Sequence, residues 1–207
     1  MLGVVNYGSG NYRSVCNALD FLEINYIEIT TADDLAKSSH IILPGVGAFK
    51  DCMGRLRQMD LIKHLRLEVL KENKLFLGIC VGHQILMSFG TEFEKREGLD
   101  WVKGSTEKLI PQENLPVPHI GWTEVDHRYE SGLFKDIDKG STFYFVHSYY
   151  VKVDDDKAIL ATAEYGIEFA AAIQLNNIFG VQFHPEKSQE NGLRLLKNFS
   201  EIKYRDI

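Results

Sequence analysis

The sequence predicts an α/β protein: a mostly parallel central sheet flanked by helices, with antiparallel strands added in the second half. Three observations carry this prediction. Short apolar runs alternate with amphipathic stretches through the first half, the β-α-β-α order that builds a parallel sheet covered on both faces. The second half instead carries a succession of short β-like runs separated by turns. Between them lies Leu75–Leu86, an apolar run that breaks at Gly78-Ile79-Cys80-Val81-Gly82 and continues as a helical start. That break has the spacing of a nucleophile elbow, with sulfur in place of the hydroxyl.

In chain order, Leu2 to Asn6 reads as a buried first strand and Tyr7-Gly8-Ser9-Gly10-Asn11 as a turn, with Asn11 placed to cap the next helix. In that helix Val15, Ala18, Leu19 and Leu22 share one face. The Gly8-x-Gly10 pair does not extend to a dinucleotide fingerprint, because the third glycine position is Arg13. Tyr26 to Ile29 is a second strand, and a short helix begins at Ala32. Ile41 to Leu43 is a third strand, ending in the loop Pro44-Gly45-Val46-Gly47, whose peptide N–H groups are free to face a ligand. Gln58 to Lys71 reads as one helix with Leu61, Leu65 and Val69 in register. The later strands are Trp122 to Val125, Thr142 to Val146, Tyr149 to Val153, Ala158 to Ala163, Phe169 to Leu175 and Ile178 to Phe183, and Asn191 to Ile202 closes the chain as a helix. With no repeat, linker or low-complexity tract, residues 1–207 are expected to form one domain.

Composition narrows the function classes. The chain has 207 residues, 25% of them charged, with net charge −6 and no basic block, which argues against a nucleic-acid partner. No apolar run approaches the ~18 residues that read as a membrane span. The start lacks the charged region of a signal peptide, and the three cysteines Cys16, Cys52 and Cys80 cannot all pair, so a reducing cytoplasm is expected. The seven histidines are scattered and no Cys-x-x-Cys occurs, so no metal site is expected.

The elbow places Cys80 as a nucleophile, with glycines two residues to either side because a Cβ there would meet the neighbouring strand or helix. A helix beginning at Val81 would point its positive end at the sulfur and favour the thiolate. In open parallel sheets ligands bind at the carboxyl ends of the strands, where the Pro44–Gly47 loop and the elbow both lie. A thiolate nucleophile needs a base and the base an orienting acceptor; His184 and Glu186, two apart after a strand and fixed by Pro185, supply both.

These segments carry a resemblance. Gly78-Ile79-Cys80-Val81-Gly82-His83-Gln84, Val181-Gln182-Phe183-His184-Pro185-Glu186-Lys187-Ser188 and Pro44-Gly45-Val46-Gly47 resemble the nucleophile, His-Pro-Glu and oxyanion segments of class I (triad-type) glutamine amidotransferases. The likeness runs end to end and implies that family's fold. Asn6-Tyr7-Gly8-Ser9-Gly10-Asn11, Pro118-His119-Ile120-Gly121-Trp122 and Tyr144-Phe145-Val146-His147-Ser148-Tyr149 narrow it to glutaminase subunits of imidazole glycerol phosphate synthases. The resemblance implies hydrolysis of glutamine by Cys80, His184 and Glu186, without a cofactor. It implies an oxyanion hole from Val81 and, after a peptide rearrangement, Val46 beside Gly47, and glutamine binding by Gln84, Glu92, His147, Ser148 and Tyr149. It further implies a heterodimer with a (β/α)₈-barrel cyclase subunit. That partner receives the ammonia and makes imidazole glycerol phosphate, for histidine, and aminoimidazole carboxamide ribotide. Asn11, Trp122 and Lys187 are the candidates for the partner-facing edge.

Two positions and one segment depart from the family's usual residues: His83 where methionine is usual, Thr123 where asparagine is usual, and Gly98-Leu99-Asp100-Trp101-Val102 for Gly-Leu-Gly-Leu-Ile. They leave room for a paralogue of the same build that supplies ammonia for amidine formation on a bacterial surface sugar. A silent binding subunit would lack a triad member, and none is missing.

Overall fold

The structure is a computed structural model that describes residues 1–112 and 115–204. Its elements in order are β1 (Leu2–Val5), α1 (Tyr12–Phe21), β2 (Tyr26–Ile29), α2 (Ala32–Lys37), β3 (His40–Leu43), α3 (Phe49–Gln58), α4 (Leu61–Leu70), β4 (Leu75–Ile79) and α5 (Val81–Gln84). Then follow β5 (Phe89–Gly90), β6 (Arg96–Glu97), β7 (Gly104–Lys108), β8 (His119–His127), β9 (Ser141–His147), β10 (Tyr149–Val153), β11 (Ile159–Glu164), β12 (Glu168–Leu175), β13 (Ile178–Val181) and α6 (Gln189–Glu201).

Nine strands form one sheet in the order β2-β1-β3-β4-β13-β12-β11-β8-β9. From β2 to β13 neighbours run parallel, and from β13 to β9 antiparallel. The parallel strands β1, β4 and β13 are buried along their whole length, which is why they read as unbroken apolar runs. Helix α1 packs on α6, while α4 packs on both α2 and α3. One continuous apolar core runs between sheet and helices, with Phe76, Phe179, Phe183 and Phe199 fully buried.

The sheet order positions the site. β3, β4 and β13 are adjacent and parallel, so the chain leaves all three at one edge: Pro44 after β3, Cys80 after β4 and Gln182 after β13. β1 lies beside β3 and delivers the turn Tyr7–Asn11 to the same edge.

Four local expectations are revised. The helix expected over Gln58–Lys71 begins only at Leu61, as α4, and Gln58 instead ends a separate helix, α3, because Asp60 adopts a left-handed conformation (φ 56°) that no continuous helix accommodates. The helix after the elbow spans four residues only, Val81–Gln84. β10 belongs not to the main sheet but to a four-stranded one, β10-β7-β5-β6. Asn11 makes no capping hydrogen bond to α1, since its side chain is engaged elsewhere.

Candidate active site

Cys80 sits at the turn between β4 and α5 with φ 52° and ψ −106°, a backbone state that only a surrounding structure can hold on a residue with a Cβ. Its N–H donates to the Val181 carbonyl at 2.8 Å, tying the elbow to β13. The flanking glycines are required by close approach. A Cβ on Gly78 would lie 2.3 Å from the Gly82 carbonyl oxygen, and one on Gly82 would lie 2.1 Å from that of Leu43 on β3.

His184 is fully buried, and its main-chain N–H donates to the Tyr144 carbonyl at 2.9 Å. Pro185 opens a single 3-10 turn, Pro185–Lys187, that folds Glu186 back toward His184. The result is a 2.8 Å contact between His184 Nδ1 and Glu186 Oε1, with both side chains shut off from solvent. His184 Nε2 has no hydrogen-bond partner of ordinary geometry. Burial alone would lower the His184 pKa, but the neighbouring Cys80 sulfur and the Glu186 carboxylate outweigh it and raise the pKa to about 10. A cationic ring beside a nucleophilic sulfur is the electrostatic arrangement that activates cysteine.

The remaining predicted residues fall into three groups. Val46, Gly47, Val81, Gln84, Glu92, His147, Ser148 and Tyr149 line one pocket of about 370 Å³ together with Cys80, Pro118 and Val146. Both N–H groups expected to form the oxyanion hole are occupied from within: Val46 N–H donates to Ser9 Oγ at 3.3 Å and Val81 N–H to the Gly45 carbonyl at 3.4 Å. Both bonds use groups of the single Gly45–Val46 peptide, so one rotation of that peptide releases both donors. Gly47, at φ 99°, supplies backbone freedom next to it. Glu92 spends one carboxylate oxygen on the Phe49 N–H at the start of α3, at 2.7 Å.

On the expected partner edge, Trp122 is 46% exposed and packs edge-on against Tyr144, over whose ring Lys187 Nζ lies at 6.0 Å. Asn11 is not on that surface. It is buried, accepts from Ser9 Oγ at 2.7 Å and donates through Nδ2 to Glu186 Oε1 at 3.1 Å. A short polar side chain next to an internal carboxylate is drawn inward by that hydrogen bond.

Sequence reasoning missed Gln182, whose Nε2 donates to Cys80 Sγ at 3.7 Å. The signal was present: Gln182 stands two residues before His184, a spacing that shares a face in extended chain. Among the described residues no helix is long and apolar enough to cross a membrane, and no group of three or more His, Cys, Asp or Glu side chains is placed to hold a metal ion.

The fold and site define an α/β protein with a cysteine at a strand–helix elbow backed by a buried histidine–carboxylate pair. The family model for class-I glutamine amidotransferases matches residues 4–202. The chain belongs to the class-I glutamine amidotransferase family. It is 42% identical over 98% of its length to the imidazole glycerol phosphate synthase subunit HisH of Geobacter sulfurreducens, covering 99% of that protein. It is 43% identical over 98% of its length to the corresponding HisH of Bdellovibrio bacteriovorus, covering all of it. Among solved structures, a glutamine amidotransferase superposes with TM-score 0.75 at 17% identity, covering 97% of each chain. PurLQS from Thermotoga maritima superposes with TM-score 0.70 at 20% identity, covering 96% of each. These two share the fold.

Proposed function

We propose that this chain is the glutaminase subunit of an imidazole glycerol phosphate synthase and that Cys80, His184 and Glu186 are its catalytic triad. The reading rests on one observation above the others: the elbow sulfur, the buried His184–Glu186 pair and the Gln84–Tyr149 pocket meet at a single sheet edge, in a chain 42–43% identical to HisH subunits over nearly its whole length.

Cys80 Sγ attacks the carboxamide carbon of glutamine bound in the pocket. The oxyanion that forms is held by the N–H groups of Val81 and of Val46, the latter once the Gly45–Val46 peptide has turned. One such donor is typically worth about 3–4 kcal/mol of transition-state stabilisation. His184 gives its proton to the departing ammonia, and the C–N bond breaks to leave a thioester on Cys80. His184 then takes a proton from water, whose oxygen displaces the sulfur and releases glutamate. Glu186 fixes the ring by accepting from Nδ1 and balances its charge, and Asn11 holds Glu186 in place. Gln84, Glu92, His147, Ser148 and Tyr149 hold the amino-acid end of glutamine.

The ammonia serves a cyclase partner subunit of the (β/α)₈-barrel type, docked at the edge that carries Trp122 and Lys187. The partner closes the imidazole ring on a ribotide acceptor, as histidine synthesis requires. Cys80→Ser in the assembled enzyme tests this. Synthesis from glutamine should fall by more than a thousandfold while synthesis from added ammonium salt continues. Loss of both routes would show that Cys80 serves assembly and not glutamine chemistry.

A further inference from the structure

Gln84 and Gln182 are buried carboxamides, and which way each amide faces decides what Cys80 sees. The surroundings fix both. The Tyr149 carbonyl oxygen, which can only accept, meets Gln84 Nε2 at 2.9 Å and His147 Nδ1 at 2.9 Å. Gln84 Nε2 spends its other hydrogen on Gln182 Oε1 at 3.2 Å. With its oxygen so engaged, Gln182 turns its Nε2 to Cys80 Sγ at 3.7 Å.

The same carbonyl sets the chain on its other side. His147 carries its proton on Nδ1, so its Nε2 accepts from His119 Nδ1 at 3.0 Å. His119 Nε2 in turn accepts from the Thr123 hydroxyl at 2.8 Å. Burial lowers both rings, His119 to about 4 and His147 to about 3, so both are neutral near pH 7 and this direction of donation holds. Four residues of straight strand span about 13 Å. His119 and Thr123 nevertheless meet across Gly121, whose φ of 148° a side chain would resist. His119 is further held by Tyr165, stacked at 3.9 Å between ring centroids.

We propose that Gln182 is a further catalytic residue, an N–H donor that holds the Cys80 thiolate, and that Thr123, His119 and His147 are positioning residues that fix the Tyr149 carbonyl and through it the orientation of Gln84 and Gln182. The proposal rests on Cys80 being the nucleophile. It assigns the thiolate a direct side-chain donor, which the one-turn helix α5 is too short to replace with its dipole.

The test reads Cys80 alone, without glutamine or partner. The full chain is treated with iodoacetamide at pH 7 and alkylation of the Cys80 peptide is followed by mass spectrometry. Gln182→Glu keeps the shape but presents acceptors to the sulfur. Alkylation should slow at least about tenfold, the scale of losing one hydrogen bond to a charged group. A cooperatively melting Gln182→Glu that reacts within twofold of the parent overturns the proposal. If that variant does not fold, ¹⁵N spectra of the histidine rings in the unaltered chain decide. The proposal requires His119 and His147 both protonated at Nδ1, with the His119 signals displaced in Thr123→Val and restored in Thr123→Ser. A ring protonated at Nε2 instead overturns it. Parent Cys80 reacting no faster than buried Cys52 would strike the nucleophile assignment itself.

Discussion

His83 follows the elbow directly and is fully buried, with neither ring nitrogen hydrogen-bonded. It packs onto β13, where its Nδ1 occupies the space a Cβ on Gly180 would need, 2.3 Å away. Burial, and secondarily the nearby His147, lowers its pKa to about 3. Replacing it by methionine, an apolar side chain flexible enough to fill the same slot, removes two unsatisfied buried nitrogens, a gain of about 1–3 kcal/mol. In a chain of this length that raises Tm by roughly 2–12 °C at pH 7.5.

The pH dependence follows from the same group. Its folded pKa lies below the unfolded value of 6.5, so neutral His83 is tolerated above pH 6.5 and disfavours folding increasingly as pH falls below it. At pH 5 the unfolded chain is favoured by a further amount of about 2 kcal/mol through this one residue. His119 and His147 add acid sensitivity of their own, but equally in both proteins, so the difference between parent and His83→Met isolates residue 83. Urea titrations at pH 7.5 and pH 5.0 measure it. The stability gap between variant and parent should widen by about 2 kcal/mol on acidification. A variant less stable than the parent at pH 7.5, or a gap that stays constant, refutes the reasoning.

Three other substitutions have defined outcomes. Ser9→Ala removes the acceptor of the Val46 N–H and should raise glutamine hydrolysis by the isolated chain by about fivefold for a bond worth about 1 kcal/mol; unchanged or slower hydrolysis in a steady-state assay counts against a restraining role for this hydrogen bond. Asn11→Leu leaves Glu186 without its second donor and should lower kcat about tenfold with little change in KM for glutamine; a pure KM effect would place Asn11 in substrate binding instead. Gly82→Ala drives a methyl into the Leu43 carbonyl and should cost about 3 kcal/mol or more in chemical denaturation, whereas Gly54→Ala, inside α3 with open space around it, should stabilise by up to about 1 kcal/mol.

Much of the fold was legible because its parallel strands are buried on both faces and so appear as plain apolar runs between amphipathic helices. α3 escaped notice because Lys50, Asp51, Arg55, Arg57 and Gly54 dilute its apolar face. The small sheet escaped because β5 and β6 are two residues each, too short for any periodicity to show. At the site, Cys80, His184 and Glu186 stood out by local spacing. Gln182 and Asn11 reach Cys80 and Glu186 by hydrogen bonds to partners 102 and 175 residues away, and Asn11 therefore read as a surface candidate. The pairings themselves exist only once the sheet brings the carboxyl ends of β1, β3, β4 and β13 to one edge, so the spacing of Gln182 from His184 hints at a shared face but not at its partner.

Glutamine hydrolysis by the purified chain tests the central claim most directly, alone and then with its cyclase subunit and the ribotide acceptor. With both proposed oxyanion donors held internally, hydrolysis alone should be close to zero and should rise by at least about a hundredfold, the contribution of one oxyanion donor, in the loaded complex. Full hydrolysis by the isolated chain, or a complex in which the ribotide changes nothing, would contradict it, and the second result would favour an ammonia acceptor outside histidine synthesis, such as a surface sugar.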